Sequence, residues 1–299
     1  IGTLNYKGDE KMKLKKLILM ALTGVLLTGS TVSAQVTYEH VRNATGRLSY
    51  NDTVFVIDPM LAEKGRYPGF AGTFNSQLRN PLVDLPTTKE DVLKGADAII
   101  VTHTHLDHWD EVAQQTIRKD IPIFTQNDAD AQAIRKEGFT NVRVLTDGTV
   151  FKNVTLQNIE GTHGTQAMYD NPVIGGKLGD SMGVVFSEPN EKTTYLMGDT
   201  VWTPRINKTL RQYNPDILIM NTGYAKLLGY NEGIIMGTAD VAKAASIMPN
   251  ASIITVHMDA INHCTVSRAN MRDFVHQMKL DDRVYVPNDG ESVTFPSKK

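Results

Sequence analysis

Residues 96–110 read ADAIIVTHTHLDHWD, and the two halves of that stretch have opposite chemistry. Ala98 to Thr102 is a short, uncharged, β-branched run, the pattern of a strand buried on both faces. Directly after it come His103, His105, Asp107 and His108, four metal-ligating side chains within six residues. Imidazoles and carboxylates are seldom buried without partners, and crowding them into one turn is unfavourable unless a positive charge organises them. Histidine and aspartate together suit zinc, and also manganese or iron. A solvated histidine-rich loop would not need a buried strand in front of it.

Working outward, Arg47–Tyr50 and Val54–Ile57 are expected strands, the second ending in Asp58-Pro59, and a Gly/Pro-punctuated loop covers Lys64–Pro86. Downstream, a helix is expected at Asp110–Lys119, a strand at Ile121–Phe124, and a helix at Ala129–Lys136 closed by Gly138. Val142–Leu145, Val154–Ile159, Gly183–Phe186 and Thr194–Met197 make a mostly β stretch. Alternation then returns: helix Pro204–Tyr213, strand Ile217–Met220, helix Ala239–Ile247, strand Ile253–Val256, helix Arg268–Met278 and a short strand Val284–Val286. A β meander combined with βαβα alternation is an α/β pattern of two sheets with helices packed outside. Thr102–Asp107, His163, Asp199 and His257 each follow a strand, and strand ends in such folds converge on one rim, where ligands bind.

HxHxDH after an apolar strand resembles the signature of the metallo-β-lactamase superfamily, and the likeness extends over nearly all of residues 37–290. Asp58 in VIDP, His163 in EGTHG, Asp199 in LMGDT and His257 in TVHMD resemble its remaining motifs, in order. The resemblance implies a four-layer αββα sandwich of two mixed β-sheets flanked by helices. It also implies a ligand set for two divalent ions, zinc first, with manganese or iron as alternatives. His103, His105 and His163 would bind one ion, Asp107, His108 and His257 the other, and Asp199 would bridge them. Asp58 would orient a ligand histidine. His257 and His263, six residues apart, compete for the last position; strand-end placement favours His257 and leaves His263 as a substrate-facing or supporting residue. Trp109, Trp202 and Tyr224 follow motif segments or strand ends and are candidates to line the pocket, which the loops 64–86 and 164–180 are expected to build. His40 and His276 have no motif context, and Cys264 is expected as a small buried hydrophobe.

The chemistry implied is hydrolysis of an ester, lactone, amide or phosphoester bond by a hydroxide held between two cations, with Asp107 and Asp199 in catalytic roles and a small molecule as substrate. The strings NATGRLSY, VFVIDPMLAEKG, NPLVDLP and NTGYA resemble the stand-alone branch that includes ascorbate-phosphate lactonase, so a lactonase-like activity is favoured. A β-lactamase is an alternative. So is a mononuclear iron enzyme acting on thiols or persulfides, which uses the same ligand types, or a non-catalytic binding protein on the same fold. Among the superfamily's other branches, the flavin-linked one usually carries Glu where His105 stands.

Met12 opens a stretch with Lys13, Lys15 and Lys16, then an uncharged run from Leu17 to Leu27, then Val32 and Ala34 before a cleavage point. That layout is a secretory signal peptide, too short to span a bilayer. The expected organisation is therefore upstream residues and signal over 1–34, one hydrolase domain over 35–299, and an exported, periplasmic or secreted bacterial protein without a stable membrane anchor after cleavage. Loss of residues 1–34 removes five lysines and two acidic residues, taking the net charge from −2 to −5. An acidic surface disfavours nucleic acid and anionic membranes as partners. Cys264 is the single cysteine, which excludes an internal disulfide. Oligomeric state leaves no mark in the sequence.

Overall fold

A computed structural model describes residues 35–298. The signal-peptide reading falls on residues 1–34, outside the described ones. In chain order the elements are β1 (Gln35–Arg42), β2 (Thr45–Tyr50), β3 (Thr53–Ile57), α1 (Lys89–Leu93), β4 (Ala98–Val101), α2 (Glu111–Thr116), β5 (Ile123–Thr125), α3 (Asp128–Lys136) and β6 (Val142–Val144). They continue as β7 (Thr149–Phe151), β8 (Val154–Gly161), α4 (Gln166–Asp170), α5 (Pro172–Leu178), β9 (Ser181–Ser187), β10 (Thr194–Leu196), α6 (Pro204–Tyr213) and β11 (Ile217–Asn221). The last are α7 (Thr238–Ile247), β12 (Ser252–Val256), α8 (Arg268–Gln277), β13 (Val284–Tyr285) and β14 (Ser292–Pro296).

The strands form two seven-stranded sheets, ordered β14-β1-β2-β3-β4-β5-β6 and β13-β12-β11-β10-β9-β8-β7. Both are mixed. β3 to β6 run parallel while β14, β1, β2 and β3 alternate. In the second sheet β10 to β13 run parallel and β7 to β10 alternate. The core explains the layers. Leu48, Phe55, Ile100 and Phe124 of the first sheet meet Leu156, Val184, Phe186 and Ile254 of the second in one buried cluster. Ile99, Val101 and Ile123 point the other way, against Ala113, Ala131 and Ile134 of the helices. Likewise Leu218 and Ile253 face Leu210, Val241 and Val275. Alternation along each strand therefore yields the four-layer αββα sandwich. Every residue of β4 is buried, as its uninterrupted apolar run requires.

Three differences from the expected elements have local causes. The helix expected from Asp110 is only Glu111–Thr116, because Asp110 is its N-cap, accepting from the Ala113 amide at 2.8 Å. The expected loop 164–180 contains α4 and α5, capped by Thr165 and Asn171. β1, β7 and β14 were not anticipated, since short half-exposed strands carry weak apolar runs. No helix among the described residues is long and apolar enough to cross a membrane.

Candidate metal centre

Strand polarity decides where the polar residues meet. β3, β4, β10 and β12 deliver Asp58, His103, Asp199 and His257 just past their C-terminal ends, and β8, which runs with β10, delivers His163. Two of these sit in the left-handed region, Asp58 at φ 45° and His257 at φ 63°. Such backbone costs on the order of 1–3 kcal/mol and persists where the surroundings over-determine it, commonly at functional sites. Gly198, before Asp199, has φ +70°, and a Cβ there would lie 2.5 Å from the Met182 carbonyl oxygen. That is the physical content of Gly-Asp-Thr.

Two groups of ligand atoms result, His103 with His105 and His163, and Asp107 with His108, Asp199 and His257. The Asp199 carboxylate touches both. Its Oδ2 lies 3.0 Å from His108 Nε2, 3.3 Å from His163 Nε2 and 3.6 Å from His103 Nε2, while Oδ1 is 3.5 Å from His257 Nε2. Asp107 Oδ2 is 3.3 Å from His257 Nε2 and 3.5 Å from His108 Nε2.

The outward nitrogens set the tautomers. His105 Nε2 donates to the Lys177 carbonyl at 2.8 Å and His163 Nδ1 to the Ile234 carbonyl at 2.9 Å. His108 Nδ1 donates to Asp58 Oδ2 at 2.7 Å. Thr102 Oγ1 donates to Asp58 Oδ2 at 2.6 Å and so accepts from His103 Nδ1 at 3.0 Å. His257 Nδ1 faces Cys264 Sγ at 3.5 Å. In four rings the inward nitrogen is thereby left with its lone pair. His103 Nε2 is buried with no hydrogen-bond partner, and the Nε2 atoms of His108 and His257 lie 3.2 Å apart. Converging lone pairs repel unless a cation lies among them, so the residues fit a metal centre. The N/O donor set suits zinc, manganese or iron.

Electrostatics agree. Burial pushes the Asp199 and Asp107 carboxyls up, yet the adjacent His108 and His257 outweigh it and hold both well below the usual range. Burial pushes His108 down, but Asp199, Asp107 and Asp58 carry it well above its ordinary value. His103 is driven well below by burial and its cationic neighbours, and burial lowers His163 to about 4. The cluster binds positive charge at one pole and repels protons from the other.

Beside the cluster opens a cavity of about 520 Å³, whose walls include Phe70, Ile174, Leu178, Leu227, Leu228 and Ile234. His105, Asp107, His163, Asp199 and His257 reach it, and His263 completes the wall. Both loops expected to build the pocket contribute to it, 64–86 through Phe70 to Thr73 and 164–180 through Ile174 to Leu178.

The aromatic candidates are corrected. Trp109 is buried among Ile117, Ile134 and Phe139, donating to Glu137 at 2.8 Å. Trp202 packs on the outer helices beneath Lys243, and Tyr224 lies over Gly233 and Gly237. None of the three lines the cavity, because each ring is taken up by the helical layer or a glycine-cleared shelf. His40, without motif context, proves buried against Asp289 at 3.1 Å, and His276 is exposed. Cys264 is half-buried, so apolar filling does not fully describe it. Sequence reasoning missed Asn221, which donates to Asp199 Oδ1 at 2.7 Å from the end of β11, where the strand-end rule would have found it. It also missed the Lys177 and Ile234 carbonyls, which no side-chain pattern reveals.

Residues 53–258 match the Beta-lactamase superfamily domain family. The UPF0173 protein YddR of Bacillus subtilis (strain 168) is 43% identical over 255 residues, 85% of this chain and 98% of that one. A possible metal-dependent hydrolase from Veillonella parvula DSM 2008 superposes with a TM-score of 0.86 at 48% identity, covering 88% of this chain and 100% of that chain. Isothiocyanate hydrolase from Delia radicum gut bacteria superposes at 0.84 with 44% identity, over 87% and 99%. With this coverage, and with the histidine–aspartate cluster at the sheet rim, the chain belongs to the metallo-β-lactamase superfamily and within it to the UPF0173 family of metal-dependent hydrolases.

Proposed function

We propose that this chain hydrolyses small neutral electrophiles carrying an apolar group, with isothiocyanates first among them. The observation that carries this is the cavity: a metal-ligating floor under walls of Phe70, Ile174, Leu178, Leu227, Leu228 and Ile234, with Lys177 the one lysine or arginine among its lining residues. Phosphorylated or multiply anionic substrates call for several charged donors, which such a wall lacks. Support also comes from the 44% identity to isothiocyanate hydrolase.

His103, His105 and His163 would hold one divalent ion and Asp107, His108 and His257 a second, with Asp199 shared. When bound, such ions supply Lewis acidity and bring the ionisation of water near neutral pH. The chain itself shapes the rest. The apolar walls seat the organic group and exclude bulk water, leaving the N=C=S carbon at the polar floor. Asp107, an anionic carboxylate on the cavity wall, can take a proton from the attacking water and return it to the substrate nitrogen. Water adds across the central carbon to give a thiocarbamic acid, which splits into the amine and carbonyl sulfide, balancing atoms without a co-reactant.

A lactone carbonyl is a neutral electrophile too, so the lactonase-like expectation is carried into the same test. Benzyl isothiocyanate, a γ-lactone, an acyl-homoserine lactone, a β-lactam and a phosphodiester are assayed against protein of measured metal content. Release of benzylamine at a rate exceeding the other four is expected; turnover of the phosphodiester alone would overturn the proposal. One iron per chain with thiol oxidation in place of hydrolysis would favour the redox alternative. Export of the chain is proposed from residues 1–34 and is tested by fractionating cells that express it.

A further inference from the structure

We propose that His263 is the polar group that orients the substrate in the apolar cavity, by donating a hydrogen bond to its heteroatom; this rests on the cavity being the substrate site. The other five histidines of the cluster each present one ring nitrogen to a partner outside it: Thr102, Lys177, Asp58, Ile234 or Cys264. His263 differs. It is 7% exposed, lines the cavity with Asp107 and His257, and its Nδ1 is buried without a hydrogen-bond partner. An unpaired buried polar atom costs about 1–3 kcal/mol and asks for a reason.

The ring is also held in place. It stands edge-on to Phe70, with centroids 5.2 Å apart at 75°. The His263 carbonyl accepts from the Lys226 amide at 3.0 Å. Its neighbour Asn262 ties this segment to the opposite wall. The Asn262 amide oxygen accepts from the Phe70 amide at 3.1 Å and from Asn80 Nδ2 at 2.8 Å. Its Nδ2 donates to Thr73 Oγ1 at 2.8 Å and to the Phe74 carbonyl at 2.7 Å. An imidazole fixed this firmly, in a wall otherwise apolar, is preorganised rather than adaptable. Since a sealed N–H without an acceptor is costlier than a sealed lone pair, the neutral ring carries its proton on Nε2. That N–H is the donor for the nitrogen or sulfur on which charge builds as water adds to the carbon.

The test separates donation from packing. H263F keeps a ring against Phe70 but donates nothing, while H263Q keeps a donor near the Nε2 position. With benzyl isothiocyanate, H263F should lose about 100-fold in kcat, the scale of deleting one transition-state donor. Affinity for N-benzylthiourea, a stable neutral analogue, should fall by about 10-fold in calorimetry, as for one lost hydrogen bond. H263Q should recover most of both, with metal content and melting temperature unchanged in each variant. Parental kcat and affinity in H263F overturn the proposal, and so does loss of bound metal from H263F, which would make His263 a support of the cluster. If the unsubstituted protein leaves benzyl isothiocyanate intact, the substrate assignment fails while the thiourea titration still decides the role of His263.

Discussion

Replacing Asp58 with Asn should weaken metal binding far more than it weakens the fold. Asp58 accepts three short hydrogen bonds, from the Thr102 amide at 2.7 Å, Thr102 Oγ1 at 2.6 Å and His108 Nδ1 at 2.7 Å. Asn matches its volume and tolerates the left-handed backbone that Asp58 adopts at φ 45°, so the chain path is kept. An amide oxygen can replace one carboxylate oxygen, but the NH2 group then faces a donor. In one orientation it opposes Thr102 Oγ1 and His108 Nδ1, and in the other the Thr102 amide. One or two charge-assisted bonds are lost, each about 1.5–3 kcal/mol. Part of that is offset, because burial pushes the Asp58 carboxyl above its ordinary range and a neutral side chain escapes the penalty. The metal-free protein should therefore lose only about 1–2 kcal/mol. The imidazole of His108 loses the carboxylate that raises its basicity and fixes its tautomer, and metal affinity should fall by roughly 10–100-fold. Competition against a chromophoric chelator measures the affinity, and urea melts of the stripped protein measure the fold. Affinity within twofold of the unsubstituted protein, with the fold intact, would refute the role given to Asp58.

Stripping the metal with a chelator should abolish hydrolysis and lower the melting temperature, with both restored by about two equivalents of zinc or manganese; restoration by one equivalent of iron alone would contradict a paired site. Asn262→Ala should cost about 2–4 kcal/mol, since it leaves the Asn80 amide and the Phe74 carbonyl without their partners, and it should raise KM by loosening Phe70. Parental stability in a chemical melt would show that water replaces the amide freely. Burial pushes the Asp289 carboxyl up, but His40 at 3.1 Å and Arg268 at 2.7 Å outweigh it and hold it below its usual range. A depressed carboxylate contributes stability above its unfolded pKa of about 3.9 and loses it as pH falls through the lower folded value. Asp289→Asn should thus be less stable at pH 7 by about 1–2 kcal/mol, with the gap closing below about pH 4. A gap that is constant with pH would exclude the ion pair as its cause.

Much of the centre could be read from the sequence because its residues lie at strand ends. A run such as Ala98–Val101 can only be a buried strand, and whatever follows it must emerge at the sheet rim. His163, Asp199 and His257 carry little signal singly, but each follows a strand, and the topology brings them to the same edge. Side chains whose position depends on a second chain segment were not readable. Trp109 follows the motif directly, yet α2 and Phe139 draw it into the helical layer. Asn262 looks like any loop amide until Asn80, Thr73 and Phe70 close around it. The short edge strands β7 and β14 are decided by pairing with a neighbour rather than by their own composition.

The outward partners of the histidines link the two functions of this site. Asp58 and Thr102 belong to β-strand ends, in the rigid frame between the sheets. The carbonyls that orient His105 and His163 do not. Lys177 and Ile234 are residues of the cavity wall, on α5 and on the segment before α7. The surface that meets the substrate therefore also fixes which nitrogen of each ring faces the metal. Side chains along that wall can change without consequence for the cluster, since only backbone oxygens are used. An insertion or deletion there cannot, because it would move the Lys177 or Ile234 carbonyl away and leave a ring free to turn. Substrate range in this architecture should accordingly diverge by side-chain replacement at positions such as Ile174, Leu178, Leu227 and Leu228, at constant loop length. Shortening α5 by one residue should lower metal content as well as turnover, whereas Leu178→Ala should alter substrate preference with the metal retained.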